Sequence, residues 1–378
     1  MMRRCRVHRR LLSFERSYEP RTPPDERWPA SGLISAGGTT TGRFFIQTTP
    51  TEYTDLADRP PGSRPSDLSH VRFAIIGAGR MGTSLALALR RRGARLTGFV
   101  CATDAGRSQA ADLLHIPAAG DLDDLISAGP NHYFITVPDA AVPVVAAELG
   151  NRLAEFTADA SVPSTNTPHD AAIVLHTSGA TSVSALDTCA QAGALTVVFH
   201  PLQTFSEPVG GSKRFDGAAV AVTPGAGPTT AAARNAGFKM ARALGARPFV
   251  LPDHQRALYH AAASVASNYL VTLEHCAELL FVQAGMPSED ALSLFLPLVR
   301  ATLDNMSAHG SVAALTGPLS RGDEPTIAAH LAALERECPA LLSLYRRLGL
   351  HTLALVRARG DVSPETLDRL TRLLDVTP

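Results

Sequence analysis

The sequence predicts an α/β fold, a doubly wound, mostly parallel sheet followed by an all-helical C-terminal domain. Three observations lead there. Short apolar runs alternate with helix-spaced stretches from Val71 to Leu251. A glycine-rich turn follows the first of those runs, and after Asp253 only amphipathic helical patterns remain. At 378 residues the chain is long enough for two ordinary domains. It divides into an Arg/Pro-rich tail at 1–69, a sheet domain at 70–251 and a helical domain at 252–378.

The organising stretch is Val71 to Gly82, VRFAIIGAGRMG. Phe73 to Ile76 form the apolar run of a buried parallel strand. Gly77, Gly79 and Gly82 then supply GxGxxG spacing: the first for a tight turn, the second for approach of a pyrophosphate, the third for helix–strand packing. A helix pattern runs from Met81 to Arg92 and stops at Gly93. Its N-terminus turns free N–H groups and positive dipole toward phosphates. With the next strand, Leu96 to Val100, this makes a Rossmann-type dinucleotide site. Gly77, Ala78, Gly79, Arg80, Met81 and Gly82 are its cofactor-binding candidates.

Composition narrows the function. The 35 basic and 35 acidic residues cancel, so nothing global favours nucleic acid or an anionic membrane. No apolar run reaches transmembrane length. The five cysteines are scattered, with no CxxC, which fits neither a disulfide framework nor a zinc site and favours a reducing, cytoplasmic compartment. No metal ligand set is expected. Met1 to about Ser69 lacks periodicity and is read as disordered. Leu11 and Leu12 cannot form a secretory apolar core. An over-extended start in a GC-rich bacterial gene is the expectation, with an arginine-rich transit peptide as the alternative.

Beyond the second strand a helical stretch spans Ala105 to Leu114, and further strands are expected at His132–Val137, Ala172–Leu175, Leu195–Phe199, Ala218–Val222 and Pro248–Leu251. Helical spacing follows at Val142–Leu149 and Thr230–Leu244, while Thr157 to Asp170 reads as a surface loop. Asp253 to Ala284 reads as one long alanine-rich helix. Ser288 opens another toward His309, and Thr326–Cys338, Pro339–Arg357 and Pro364–Leu374 complete the helical domain. The long apolar helix suggests a homodimer.

Several residues are candidates for chemistry. Val100 is followed by the uncharged Cys101, Ala102 and Thr103, and Asp104 could still bind a ribose 2′-OH. Arg80 and Arg107 could instead hold a 2′-phosphate, so NADPH is expected over NADH, with Thr103 nearby; the alternative is two solvated arginines. Val137, Pro138 and Asp139, at the end of the third strand, are further cofactor contacts. His176-Thr177-Ser178-Gly179-Ala180 and His200-Pro201-Leu202-Gln203-Thr204-Phe205 each follow a strand, giving Ser178 and His200 as cofactor-binding candidates. The alternatives are a capping turn and a proline-stiffened loop.

His260, Ser264, Ser267 and Asn268 fall at i, i+4, i+7 and i+8 on the long helix. A polar stripe in an apolar helix faces water or lines a cleft. In a cleft, His260 would protonate an oxygen as hydride reaches the carbonyl carbon, with Ser264 and Asn268 holding the carbonyl or carboxylate and Ser267 contacting substrate. The alternative is a core histidine with packing serines. Finally, in Thr316-Gly317-Pro318-Leu319-Ser320-Arg321-Gly322-Asp323, Arg321 would grip a substrate carboxylate with Asp323 orienting it, or the two would simply pair at a turn.

Taken in order, GAGRMG, VPD, HTSGA, HPLQTF, YHAAASVASNYL and ALTGPLSRGD resemble a bacterial two-domain family that joins a Rossmann-like NAD(P)-binding domain to a C-terminal domain of unknown function. The resemblance covers about His70 to the C-terminus. It also points to the 6-phosphogluconate dehydrogenase-like superfamily, and it implies an alternative ketopantoate reductase, reducing 2-dehydropantoate to pantoate with NADPH in pantothenate biosynthesis. One departure stands out. The usual ketopantoate reductases and hydroxyisobutyrate-type dehydrogenases carry a lysine four residues before the helix asparagine; here Asn268 matches the asparagine and Ser264 stands at the lysine position. His260, one turn earlier, is the substitute acid. The alternatives are an imine or deazaflavin-coupled reductase and a non-catalytic NADP sensor.

Overall fold

The computed structural model describes residues 68–158 and 171–375. Within these, the chain up to Asn268 forms one compact unit and the chain from Tyr269 a second.

The first unit carries seven strands: β1 (Arg72–Ile76), β2 (Arg95–Val100), β3 (His132–Ile135), β4 (Ile173–His176), β5 (Leu195–Pro201), β6 (Ala219–Pro224) and β7 (Arg247–Val250). They lie in the order β2-β1-β3-β4-β5-β6-β7. Every neighbouring pair is parallel except β5–β6. All seven expected strands are present, in the mostly parallel sheet that the alternating pattern predicts. Both faces are covered. Phe73 and Ile75 of β1 pack with Leu85, Leu89 and Phe134 on one side, while Ala74 and Ile76 pack with Ile135, Val142 and Leu149 on the other. Full burial of each such side chain contributes about 1.5–3 kcal/mol, so alternate residues of one strand stabilise two separate layers.

Three details differ from expectation. First, β5 continues through His200 and Pro201 rather than stopping at Phe199. The antiparallel β6 causes this, because Ala221 and Val220 pair with these two residues while β4 already ends opposite Val198. Second, the single helix expected over Asp253–Ala284 is broken. A 3₁₀ turn at Asp253–Gln255 leads into one helix, Arg256–Ala266, and Ser267, with φ −120° and ψ −63°, separates it from the next, Asn268–Gln283. No proline or glycine marks the break; two short polar residues that compete with the ladder for backbone hydrogen bonds sit there instead. Third, the sheet unit extends through the Arg256–Ala266 helix to Asn268, past the boundary expected at 252. Thr157 and Ala158 belong to the last turn of the helix Val142–Ala158, and the rest of the expected loop, 159–170, lies outside the described residues, as does the tail up to residue 67.

The second unit is helical throughout, from Asn268–Gln283 and Ala291–Ala314 to Glu324–Glu337, Pro339–Arg359 and Pro364–Leu374. Its core joins Ile327 and Leu331, Leu353 and Val356, and Leu367, Leu370 and Leu374 from the last three helices. Ala291–Ala314 is interrupted at Gly310, whose φ of 77° no helix allows. Among the described residues no helix is long and apolar enough to cross a membrane.

Candidate functional site

The glycine loop has the geometry its spacing predicts. Gly77 sits at φ +97°, and a Cβ there would stand 2.7 Å from Val137 Cγ1 and 2.9 Å from the Val137 backbone nitrogen. Gly82 lies against β3, where a Cβ would come within 2.5 Å of the Gly77 carbonyl oxygen. Gly79, between them, faces open space with nothing within 4 Å of its would-be Cβ. It also N-caps helix α1 (Arg80–Arg91), which has no side-chain cap and no acid in its first turn. An uncapped helix end beside a bare glycine fits the pyrophosphate of a dinucleotide: N–H donors and dipole are available and no carboxylate competes. Val137 therefore shapes the loop through packing. Pro138 and Asp139 follow in a 3₁₀ turn with both residues exposed.

The adenosine end divides the two arginines. Helix α2 (Asp104–Leu114) begins directly after β2, and Thr103 caps it, its hydroxyl accepting from Gly106 N–H at 3.2 Å. Arg107 pairs with Asp104 at 3.4 Å within that first turn. Neither side chain of this pair is committed to a ligand by the fold, and each screens the other. Arg80 is exposed and carries no ion pair among the described residues.

At the carboxyl edge of β4 and β5 several elements meet. His176 ends β4 fully buried; burial pushes its pKa down to about 4, and its Nε2 lies 3.3 Å from the Ser182 carbonyl oxygen. Ser178 is buried as well, with its hydroxyl donating to Thr181 Oγ1 (2.8 Å) and accepting from the N–H groups of Thr181 (2.9 Å) and Ala180 (3.3 Å). That is the capping turn given above as the alternative. The Ser178 hydroxyl is engaged within its own loop.

Beneath this turn lies a group the sequence reading missed. Arg256, in the first turn of helix α3 (Arg256–Ala266), is the largest fully buried side chain among the described residues. Its guanidinium donates to the carbonyl oxygens of Gly179 (3.3 Å) and Ser178 (3.5 Å), to the Thr223 hydroxyl and to Asp253 (3.4 Å). Asp253 accepts in addition from Ser182 Oγ (2.6 Å) and Val183 N–H (3.0 Å). Burial acts to raise the Asp253 pKa, but these hydrogen bonds and the Arg256 charge outweigh it and hold the carboxyl below its ordinary value. The helix that carries His260 is thus tied to the loop that it faces.

Two histidines close over that loop. A Cβ on Gly179 would stand 2.7 Å from His260 Cδ2 and 2.8 Å from His200 Nε2, so only glycine leaves both rings in place. The ring centroids of His200 and His260 are 6.4 Å apart. His200 Nδ1 lies 2.9 Å from the hydroxyl of Tyr259, a second residue that sequence reading missed. Burial, and then the proximity of His260 and Arg256, pushes His200 down to about 4, while burial pushes Tyr259 up to about 12. His260 and Ser264 share the helix, half-buried, as the i, i+4 spacing predicts. The break at Ser267 removes the register that was to align Ser267 and Asn268 with them; Ser267 ends one helix and Asn268 opens the next.

Arg321 belongs to the helical unit, exposed on an open cavity of about 440 Å³ lined also by Leu315, Thr316, Ser320, Arg359 and Asp361. Among the described residues Asp323 makes no hydrogen bond or ion pair with Arg321; its carboxylate caps the helix Glu324–Glu337, accepting from Thr326 N–H (3.2 Å) and Thr326 Oγ1 (2.7 Å). The described residues contain no cluster of three metal-ligating side chains.

Comparison with known proteins agrees with this architecture. A Rossmann-like domain profile matches residues 58–201, and the profile of the domain of unknown function DUF2520 matches residues 227–352. No curated protein sequence matches the chain. Among solved structures, a candidate NADP oxidoreductase from Bacteroides fragilis, BF3122, is 22% identical over 75% of this chain and 98% of its own, with a TM-score of 0.55. Protein TM1727 from Thermotoga maritima is 19% identical over 76% of this chain and 99% of its own, also with a TM-score of 0.55. At these identities the likeness is one of fold. The two matched domains, a Rossmann-like domain followed by DUF2520, come in the order the quoted motifs pointed to.

Proposed function

We propose that the protein is an NADPH-dependent oxidoreductase that reduces a small 2-oxo acid, with 2-dehydropantoate as the first substrate to try. One observation carries the reading: His260 stands over the bare Gly179 backbone, beside His200, on the same sheet edge as the glycine loop. Ligands of open α/β sheets bind at that edge. Residues 77–82 and the α1 N-terminus would hold the pyrophosphate. Arg80, which has no ion pair among the described residues where Arg107 has one, would hold the 2′-phosphate. NADPH, when bound, supplies a hydride. His260 donates the proton that the carbonyl oxygen needs, and Ser264, on the same helix, supports the substrate by hydrogen bonding. Ser267 and Asn268 are proposed contacts for the substrate's polar ends. The NADP named for the Bacteroides fragilis protein supports this cofactor choice.

The same reading takes a homodimer in the cytoplasm. The helix Asn268–Gln283 buries no residue, and Tyr269, Val271, Leu292, Leu294 and Leu298 expose an apolar surface that a second copy would cover. Cys101, Cys189, Cys276 and Cys338 are free thiols, as a reducing compartment keeps them.

The test is NADPH oxidation by the full chain with 2-dehydropantoate, then with other 2-oxo acids and cyclic imines. Saturable oxidation with a 2-oxo acid, lost at least about 100-fold in His260→Ala with NADPH binding intact, is the expected result. Turnover of imines alone would replace the carbonyl substrate. Binding of NADPH without oxidation of any substrate would favour a sensor.

A further inference from the structure

His200 was expected to touch the cofactor; its surroundings suit it to a different task. The β5 strand overhangs β4 by Phe199, His200 and Pro201, so the His200 ring stands beyond the end of β4 rather than inside the sheet. Its Nε2 edge is turned to the Gly179 backbone, where a Cβ would be only 2.8 Å away, and has no partner among the described residues. Its other nitrogen is held by Tyr259, 2.9 Å away. We propose that His200 is a neutral hydrogen-bond donor that polarises the substrate's carbonyl oxygen through Nε2–H, and that Tyr259 fixes the tautomer that makes this possible.

Charge and tautomer both follow from the neighbours. Tyr259, His260 and Arg256 face His200 from helix α3, His176 from β4, and Asp139 from the turn after β3. Of these only Asp139 favours an imidazolium, and burial opposes it, so the ring is neutral at physiological pH. The Tyr259 hydroxyl keeps its proton to about pH 12 and has His200 Nδ1 as its hydrogen-bond partner. When that hydroxyl donates, Nδ1 accepts and the ring's one proton sits on Nε2, on the side of Gly179. A neutral N–H cannot itself supply the proton that reduction consumes. It strengthens its hydrogen bond as negative charge grows on oxygen, while His260 delivers the proton.

This inference rests on the reductase reading, and the test separates the two. In the full chain labelled with ¹⁵N-histidine, long-range ¹H–¹⁵N spectra between about pH 5 and 8 should show His200 neutral with its proton on Nε2, its signals assigned by their loss in His200→Leu. Tyr259→Phe should give a mixture of tautomers. With a substrate that is turned over, His200→Leu should lower kcat by about 100–1,000-fold with the KM for NADPH unchanged. His200→Gln, which can place an N–H near Nε2, should recover part of that loss. A proton on Nδ1, or an imidazolium at neutral pH, would overturn the proposal, as would an unchanged kcat in His200→Leu. If the wild-type chain turns over no substrate, the reductase reading fails and the tautomer alone decides the role of Tyr259 and His200.

Discussion

Replacing Arg256 with methionine keeps most of the side-chain volume and removes the charge. Three of the bonds lost are long, at 3.3, 3.4 and 3.5 Å, so each contributes little by itself, about 0.5–1.5 kcal/mol. What remains matters more: two loop carbonyls and the Thr223 hydroxyl lose a donor, and Asp253 loses its counter-charge. Breaking a buried ion pair from one side costs about 3–5 kcal/mol. Here Asp253 is about one-third exposed and retains Ser182 and Val183, so a loss of about 2–3 kcal/mol is expected. For a domain of this size that lowers Tm by about 4–12 °C. Because the same guanidinium holds Ser178 and Gly179 beneath the two imidazoles, kcat should fall while the KM for NADPH stays constant. Thermal unfolding by circular dichroism and steady-state NADPH oxidation measure the two effects. A Tm within about 2 °C of wild type, with kcat unchanged, would refute the view that this arginine clamps helix to loop.

Two further outcomes test other parts of the structure. Arg80→Ala should weaken NADPH binding by about tenfold or more and leave NADH nearly unaffected, since only the former carries the 2′-phosphate; equal losses in a fluorescence titration of each nucleotide would remove Arg80 from that role. Acid should destabilise the fold well before carboxylates titrate. His132, His176 and His200 are held at about 4 in the folded chain, mainly by burial, against about 6.5 unfolded. The unfolded chain therefore binds more protons from about pH 6.5 down to 4, and stability falls across that window by up to about 1.4 kcal/mol per pH unit for each histidine. Asp253, whose folded pKa is depressed, adds its loss at still lower pH. Urea unfolding at a series of pH values would show this slope, and a flat profile between about pH 7 and 5 would contradict it.

Much of the fold was legible because its signals are local. Gly77, Gly79 and Gly82 lie within six residues of one another, so their spacing is read without any distant partner, and the apolar runs of the seven strands need only a sheet to enter. The candidate site depends on partners far apart in sequence. Nothing in the sequence beside Arg256 marks it; the arginine is bound by Thr223, 33 residues before it, and by the Ser178 and Gly179 carbonyls, 78 and 77 residues before it. Tyr259 looks like a packing residue until β5 brings His200 to it across 59 residues. The break at Ser267 carried no glycine or proline, so the polar stripe read from Asp253 onward ran past the end of its helix. The turn bonds of Ser178 were not legible for a related reason: a serine in a turn can satisfy its own loop, and sequence does not say which way its hydroxyl points.

The reversed pairing of β5 and β6 governs which end of the following helix reaches a ligand. In a sheet parallel throughout, the last strand would finish at the binding edge, and the helix after it would meet a ligand with its first turn. Here β7, parallel to the reversed β6, runs away from that edge, with Arg247 beside Ala219 and Val250 beside Val222. The chain then turns back, and its first helical turn is spent on Asp253 and Arg256 while the next carries Tyr259 and His260 up to the loop. The anchoring arginine and the two side chains that reach the loop are thereby separated by a single turn of helix. A substitution in the anchor can shift the chemistry without touching it, and the reach of the histidine is set by a rigid rod rather than a loop.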